Sequence, residues 1–190
     1  MCAHLRPLAG QRLLDIGGYS WCWPVGILPC TLTILNREFS ASMRSESGVC
    51  ELVVGDGCAL PYADMSFDIV FSNSVIEHVG SWERQQAFAA EARRVGRRLW
   101  VQTPAREFFI EPHLITPFFH WLPYVWKRRL MRNFTVRGLI ERPEMPSVDA
   151  FLAEVRLLTF DEMRALFPDC TILRERFLGC TKSYIAVRTD

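Results

Sequence analysis

Phe67-Asp68-Ile69-Val70-Phe71 is a short apolar run holding a single acid, and it ends in the polar triplet Ser72-Asn73-Ser74. A run of this kind predicts a strand buried on both faces. Such strands belong to sheets sandwiched between layers of helices, so this one segment already pulls the chain toward the α/β class.

The rest of the chain supplies the alternation that class requires. Arg12 to Ile16 reads as a short strand stopped by Gly17-Gly18, Cys30 to Leu35 shows β-branched alternation, and Leu52 to Val54 gives a third strand. Ser81 opens a helix that runs through Ala87, Phe88, Ala90 and Val95 to Gly96, and Leu99 to Thr103 is a strand stopped by Pro104. Thr159-x-x-Glu162 is a capping box for a short helix ending before Pro168. Thr171 to Leu178 and Ser183 to Arg188 read as a closing antiparallel hairpin around Gly179. This order predicts a doubly wound sheet, whose ligands bind beyond the carboxyl ends of the strands. Asp56 and the Ser72-Asn73-Ser74 triplet both fall there.

A net charge of +1 gives no global field to recruit nucleic acid, and none is expected as a partner. Seven cysteines, with no CxxC pair among them, read as reduced thiols of a cytoplasmic protein. Histidine and cysteine spacing shows no metal-ligand pattern, so no metal is expected. The N-terminus lacks an apolar signal core. Thr116, Pro117, His120 and Pro123 break the apolar stretch from Leu114 to Trp126, which falls short of the ~20 residues a membrane span needs.

Gly55-Asp56-Gly57-Cys58-Ala59-Leu60-Pro61-Tyr62, followed by Phe67 through Val79, resembles the class I S-adenosylmethionine-dependent methyltransferases. The similarity is to the small-molecule, type 11-like group that includes the ubiquinone and menaquinone enzymes. It implies an α/β, Rossmann-like, mostly parallel seven-stranded sheet with an antiparallel C-terminal hairpin. It also implies one methyltransferase domain over residues 1–190, with S-adenosyl-L-methionine as cofactor. In this family the acid at Asp56 receives the adenine amino group, Gly57 meets the ring through its backbone, and Leu60-Pro61 wall the pocket. Leu13-Leu14-Asp15-Ile16-Gly17-Gly18 sits at the first cofactor motif, with Tyr19 and Trp21 where further glycines are usual. Asp15 is expected to hold that loop or the methionine amino group, and Gly17 to pass beside the cofactor. The ribose acid position aligns with Asn36, and Glu38 is the nearest acid; Glu38 is preferred. Asn73 is expected under the sulfonium end. Asp68 reads as a structural acid.

Methyl transfer to a hydroxyl needs a base, and His78 or His113 supplies one at this rim. Glu111 either orients His113 or pins its loop. The run from Gln102 through Glu111-Pro112-His113 to Phe118-Phe119-His120-Trp121-Leu122-Pro123 resembles a bacterial subgroup of the same enzymes, as does Arg176 to Ser183. Residues 105–150 form a long aromatic excursion, expected to be a lid or wall over a small or lipid-like acceptor, with Phe108 and Trp121 among its surfaces. Thr116 and Pro117 read as the start of a helix carrying Phe119, Leu122, Trp126 and Leu130, bent at Pro123. Lys127, Arg128, Arg129 and Arg132 lie on the same segment. Residues 117–132 therefore offer a peripheral membrane contact, and the excursion as a whole a homodimer surface as an alternative to a lid. The expected activity is methyl transfer to a small or lipid-like acceptor, at oxygen. The competing reading is a catalytically inactive domain of the same fold used for binding or assembly.

Overall fold

The structure, a computed structural model, describes residues 5–19, 22–23, 30–39 and 50–189. Trp21 of the first motif and Cys2 lie outside these residues. The strands are β1 (Arg12–Ile16), β2 (Thr31–Asn36), β3 (Cys50–Val54), β4 (Phe67–Asn73), β5 (Gly96–Pro104), β6 (Ile110–Glu111), β7 (Thr116–Pro117), β8 (Thr171–Phe177) and β9 (Cys180–Arg188). The helices are α1 (Trp82–Val95), α2 (Tyr124–Phe134), α3 (Val136–Glu141), α4 (Met145–Glu154) and α5 (Phe160–Leu166).

Seven strands form one sheet in the order β3-β2-β1-β4-β5-β9-β8. β1 to β5 pair in parallel, and β9 runs antiparallel to both β5 and β8. The direction of winding reverses between β1 and β4, the switch point at which open α/β sheets bind ligands. Burial of both faces of β1 explains why Leu13, Leu14 and Ile16 are all apolar. Leu14 and Ile16 enter the core shared with Phe88 and Ala92 of α1, while Leu13 enters the opposite core with Leu32, Ile34 and Ile69. Asp68 is structural as expected: its carboxylate accepts a hydrogen bond from the Arg12 backbone N–H at 2.9 Å.

Helix ends follow local chemistry. Ser81 caps α1 by accepting from the Arg84 N–H, and Thr159 with Glu162 completes the capping box of α5. Several strands outrun their sequence signals, β3 starting at Cys50 and β9 at Cys180 among them. β4 continues through Ser72 and Asn73, because its backbone keeps pairing with Val101 and Gln102. β5 begins directly at Gly96, where α1 ends.

The excursion departs most from expectation. Thr116 and Pro117 form the short strand β7, paired with β6, and do not open a helix. Pro123 does not bend a helix; it stands at the N-cap of α2 with ψ 150°. Proline lacks an N–H and clashes with a preceding helical turn, so a helix tolerates it at its start far better than inside. The expected single stripe is therefore divided. Phe119 sits in a 3-10 turn and is buried, whereas Trp126 on α2 is exposed. Leu114, Phe119, Met131 and Val148 form a small core of their own, distinct from the two cores of the sheet. No helix among the described residues is long and apolar enough to cross a membrane. All cysteines among the described residues are free thiols.

Candidate active site

A groove of ≈ 890 Å³ opens at the carboxyl ends of β1 to β4 and is lined by Asp15, Gly17, Asn36, Asp56, Gly57, Asn73 and His78. Seven sequence-predicted positions thus meet in one place because parallel strands end on one edge.

Asp15 is the penultimate residue of β1 and is buried. The Trp23 indole N–H donates to its Oδ2 at 2.6 Å, while Oδ1 is enclosed with no partner. Burial pushes this carboxyl up to about 7, against the lowering effect of the Trp23 hydrogen bond. The next two residues leave no room for side chains. Gly17 has φ +79°, and a Cβ there would stand 2.5 Å from Val75; a Cβ on Gly18 would stand 1.7 Å from Asp15 Oδ2. The loop therefore presents bare backbone to the groove, with one unsatisfied carboxylate oxygen enclosed beside it.

Asn36 ends β2 and lines the groove, while Glu38 is exposed and does not. Glu38, preferred for the ribose, stands two residues beyond the end of β2 on the exposed side of its loop. Asn36 is held by its own loop, its side-chain N–H₂ donating to Gly18 O at 3.4 Å and its Oδ1 accepting from the Arg37 N–H at 2.9 Å.

Asp56 is more committed than its sequence suggests. Its Oδ1 accepts from the Cys58 N–H at 2.9 Å, and Arg84 Nη2 donates to Oδ2 at 2.9 Å and to Oδ1 at 3.1 Å. These hydrogen bonds, the Arg84 one foremost, hold its carboxyl below the usual range. Oδ2 keeps acceptor capacity toward the groove. Arg84 was not legible as a site residue; it is one charge among several on an exposed helix face. Asp56→Ala is expected to weaken S-adenosylmethionine binding by ~1–3 kcal/mol, the usual cost of losing a charged hydrogen-bond partner. Calorimetric titration checks this, and unchanged affinity in a folded variant would remove Asp56 from the site.

Gly57 also faces the groove, and a Cβ there would lie 2.9 Å from Phe88. Asn73 ends β4, and Ser74 follows at φ +57° with its N–H donating to Gln102 O. A non-glycine residue held there is strained backbone on the groove wall.

The polar end of the groove is a carboxylate–histidine cluster. The His78 and His113 rings meet edge to face, centroids 4.6 Å apart. His113 Nδ1 lies 2.7 Å from Glu111 Oε1, and Glu111 Oε2 accepts the Leu114 N–H at 2.6 Å. Glu111 thus both orients His113 and pins its loop. Burial acts to lower the His113 pKa, but the Glu111 hydrogen bond and charge, with Glu77, outweigh it and leave His113 raised. His78 moves the other way, lowered first by burial and then by the charge of His113. Glu77 is buried, accepts from Thr103 Oγ1 at 2.9 Å, and is pushed up to about 7 chiefly by burial. Glu77, His78 and His113 each bring one ligand-type atom within 4.8 Å of the others. Sequence spacing hid this cluster, because β5 and part of the excursion intervene between His78 and His113.

A second cavity of ≈ 260 Å³ lies beside the cluster, with Glu111, Phe119 and Phe151 in its wall. Two residues expected on the acceptor side lie elsewhere. Phe108 is buried against Phe109 and Phe177, and Trp121 is exposed on the outer face. The helix break at Pro123 carries Trp121 outward, and its indole N–H donates to the Arg106 carbonyl at 3.0 Å.

Residues 28–98 match the family model described as "Methyltransferase domain". That span holds Asn36, Asp56, Asn73 and His78 and stops before the excursion. No curated protein matches the chain. Among solved structures, the YcgJ protein of Bacillus subtilis is similar at 18% identity with a TM-score of 0.56, over 90% of this chain and 66% of that one. A methyltransferase of Haloferax volcanii, solved with its activator Trm112, has a TM-score of 0.56 at 12% identity, over 97% of this chain and 84% of that one. An O-methyltransferase family 2 protein of Planctomyces limnophilus, complexed with apigenin, has a TM-score of 0.53 at 17% identity, over 96% of this chain and 50% of that one. The chain spans about two thirds of the first of these proteins and half of the last. The chain therefore shares the fold of these structures, with a groove at the switch point of the sheet order β3-β2-β1-β4-β5-β9-β8, and carries a methyltransferase-domain match over residues 28–98.

Proposed function

We propose that this protein transfers the methyl group of S-adenosylmethionine to an oxygen of a small or lipid-like acceptor, as one methyltransferase domain over residues 1–190. The observation that carries the reading is the single groove that gathers Asp15, Asp56, Asn73 and His78. The residues fit the cofactor. Asp15 Oδ1, enclosed and unpartnered, suits an ammonium donor, and Gly17-Gly18 admit close approach. Asp56 would take the adenine amino group with Gly57 beside the ring, Asn36 the ribose, and Asn73 the methionine end. When bound, the cofactor supplies an electrophilic methyl on a cationic sulfur.

The remaining work belongs to the chain. Displacement from such a methyl needs mainly proximity and alignment. An acceptor hydroxyl must also lose its proton, and His78, lining the groove, is the base. Its lowered pKa keeps it unprotonated, and so able to accept, at neutral pH. His113, fixed by Glu111, supports His78 from the excursion side. The excursion walls the acceptor end and excludes water there. Trp121 and His120 both hydrogen-bond the Arg106 carbonyl and so set the strand exit from which that wall hangs.

The competing reading, an inactive binding or assembly domain, is separated by calorimetric titration with S-adenosylhomocysteine. Micromolar one-to-one binding is expected, and its absence would favour the assembly role. The lid has its own test. Amide exchange across residues 105–150 is expected to be faster than in the sheet and to slow when acceptor and cofactor are bound together. Protection that appears only at high protein concentration would identify a homodimer surface instead. Protection that appears only with anionic vesicles would identify a membrane-facing one, through exposed Phe118, Trp121 and Trp126.

A further inference from the structure

The smaller cavity has a lopsided lining. Leu114, Phe119, Phe151 and Leu152 make its apolar side, and Arg106 and Lys127 bring two cationic side chains to the same space. Neither cation has a partner: among the described residues, no ion pair or side-chain hydrogen bond engages the Arg106 guanidinium or the Lys127 ammonium. The neighbouring charges are spent elsewhere. Arg156, in the same wall, is bound to Glu162 and donates to Gln85 at 2.6 Å. Both oxygens of Glu111 are taken by His113 and the Leu114 N–H. Arg128, next in sequence to Lys127, pairs with Asp149 at 2.6 Å. Burial lowers the Lys127 pKa most and the charge of Arg106 lowers it further, while the Glu111 carboxylate in the same wall acts to raise it, so two cations and one anion share the cavity. Two cations against one carboxylate, itself engaged by His113 and the Leu114 N–H, leave the cavity with an excess of positive charge that a further anion would complement. His120 lines the same cavity and has its Nδ1 enclosed without a partner.

We infer that this cavity binds an oxyanion carried on an apolar body, Arg106 and Lys127 holding the anion while Phe119, Phe151 and Leu152 take the body. The inference rests on the methyl-transfer reading above and names its acceptor class: an amphipathic acid, carboxylate or phosphate ester. His113 links the two spaces, since it touches His78 of the groove, Glu111 of the cavity wall and Phe151. An acid anchored in the cavity would place a hydroxyl elsewhere on its body toward His78. A guanidinium supplies paired donors suited to either oxyanion, with an ammonium as the second point of charge.

The test uses three eight-carbon probes, octanoate, octyl phosphate and 1-octanol, titrated calorimetrically into the full chain with S-adenosylhomocysteine present. Octanoate or octyl phosphate is expected to bind one-to-one, and octanol at least about tenfold more weakly. Arg106→Gln and Lys127→Gln should each weaken the anion about tenfold while leaving octanol and S-adenosylhomocysteine affinities unchanged. Which anion binds more tightly assigns the carboxylate or the phosphate head. Octanol binding as tightly as the anions, or wild-type anion affinity in both variants, would overturn the inference. So would an equal loss in Arg132→Gln, which changes surface charge outside the cavity. Because S-adenosylhomocysteine is titrated on the same samples, loss of cofactor binding with the anion retained would count against methyl transfer and leave the anion site standing.

Discussion

Replacing His78 by Gln is expected to lower turnover by roughly 10²–10⁴-fold, the range that one positioned base contributes, with cofactor affinity nearly intact. Glutamine keeps a polar side chain on the groove wall but cannot accept a proton at neutral pH. His113→Gln should act differently, because His113 reaches the groove only through His78. Removing the neighbouring cation lifts one of the influences that hold the His78 pKa down. The acid limb of the rate profile should therefore move to higher pH, with a smaller loss at the plateau. A pH–rate series on both variants checks this. Full activity in both would mean that catalysis is by positioning alone, or that the acceptor arrives already ionised. A plateau loss in His113→Gln without movement of the limb would reduce His113 to a packing role.

The second large effect concerns Asp15. Its carboxyl is pushed up to about 7 by burial, against an ordinary value of 3.8. The folded state therefore holds the proton more tightly than the unfolded chain. The stability this confers is complete below about pH 4 and is lost as the pH rises toward 7. Above that window the buried charge is a constant cost. A shift from 3.8 to about 7 corresponds to as much as roughly 4 kcal/mol. Asp15→Asn removes the cost while leaving an oxygen for the Trp23 indole. The variant should gain stability over wild type at pH 8 and little at pH 4, as denaturant melts at the two pH values would show. Its affinity for S-adenosylmethionine should fall, because a neutral amide answers an ammonium poorly. Opposite signs for stability and binding mark a residue kept for function. A variant no more stable than wild type at pH 8 would mean that the Asp15 charge is compensated in the free protein.

These two residues also show how far the sequence could be read. Asp15 was legible because a strand followed by Gly17-Gly18 has few other meanings, and Asp56, Gly57 and Asn73 because parallel strands end on one edge. The periodicity of β1, β2 and β8 gave their places to within a residue, whereas β9 begins at Cys180, three residues before its expected start. The excursion resisted, since Pro117 and Pro123 each fit a helix start and only packing against Leu114 and Met131 decides between them. Arg84 and the meeting of His78 with His113 were out of reach for a different reason. Neither has a local signature; one depends on the rotation of α1, the other on where a loop from β5 comes to rest. Glu38 was preferred on charge, whereas the place was set by the length of β2.

The small core of Leu114, Phe119, Met131 and Val148 has a consequence for how such a protein diversifies. Its side chains form no part of the cores that carry the groove, and energetic effects at well-separated sites tend to add independently. On the proposed methyl-transfer reading, changes there reshape the acceptor side while leaving the cofactor groove undisturbed. An ancestral scaffold of this kind can trade one clientele for another by drift in a single peripheral unit, provided its ties to the groove are kept, among them Glu111 with His113, Glu154 with His78 and the Arg156 N–H with the Glu77 carbonyl.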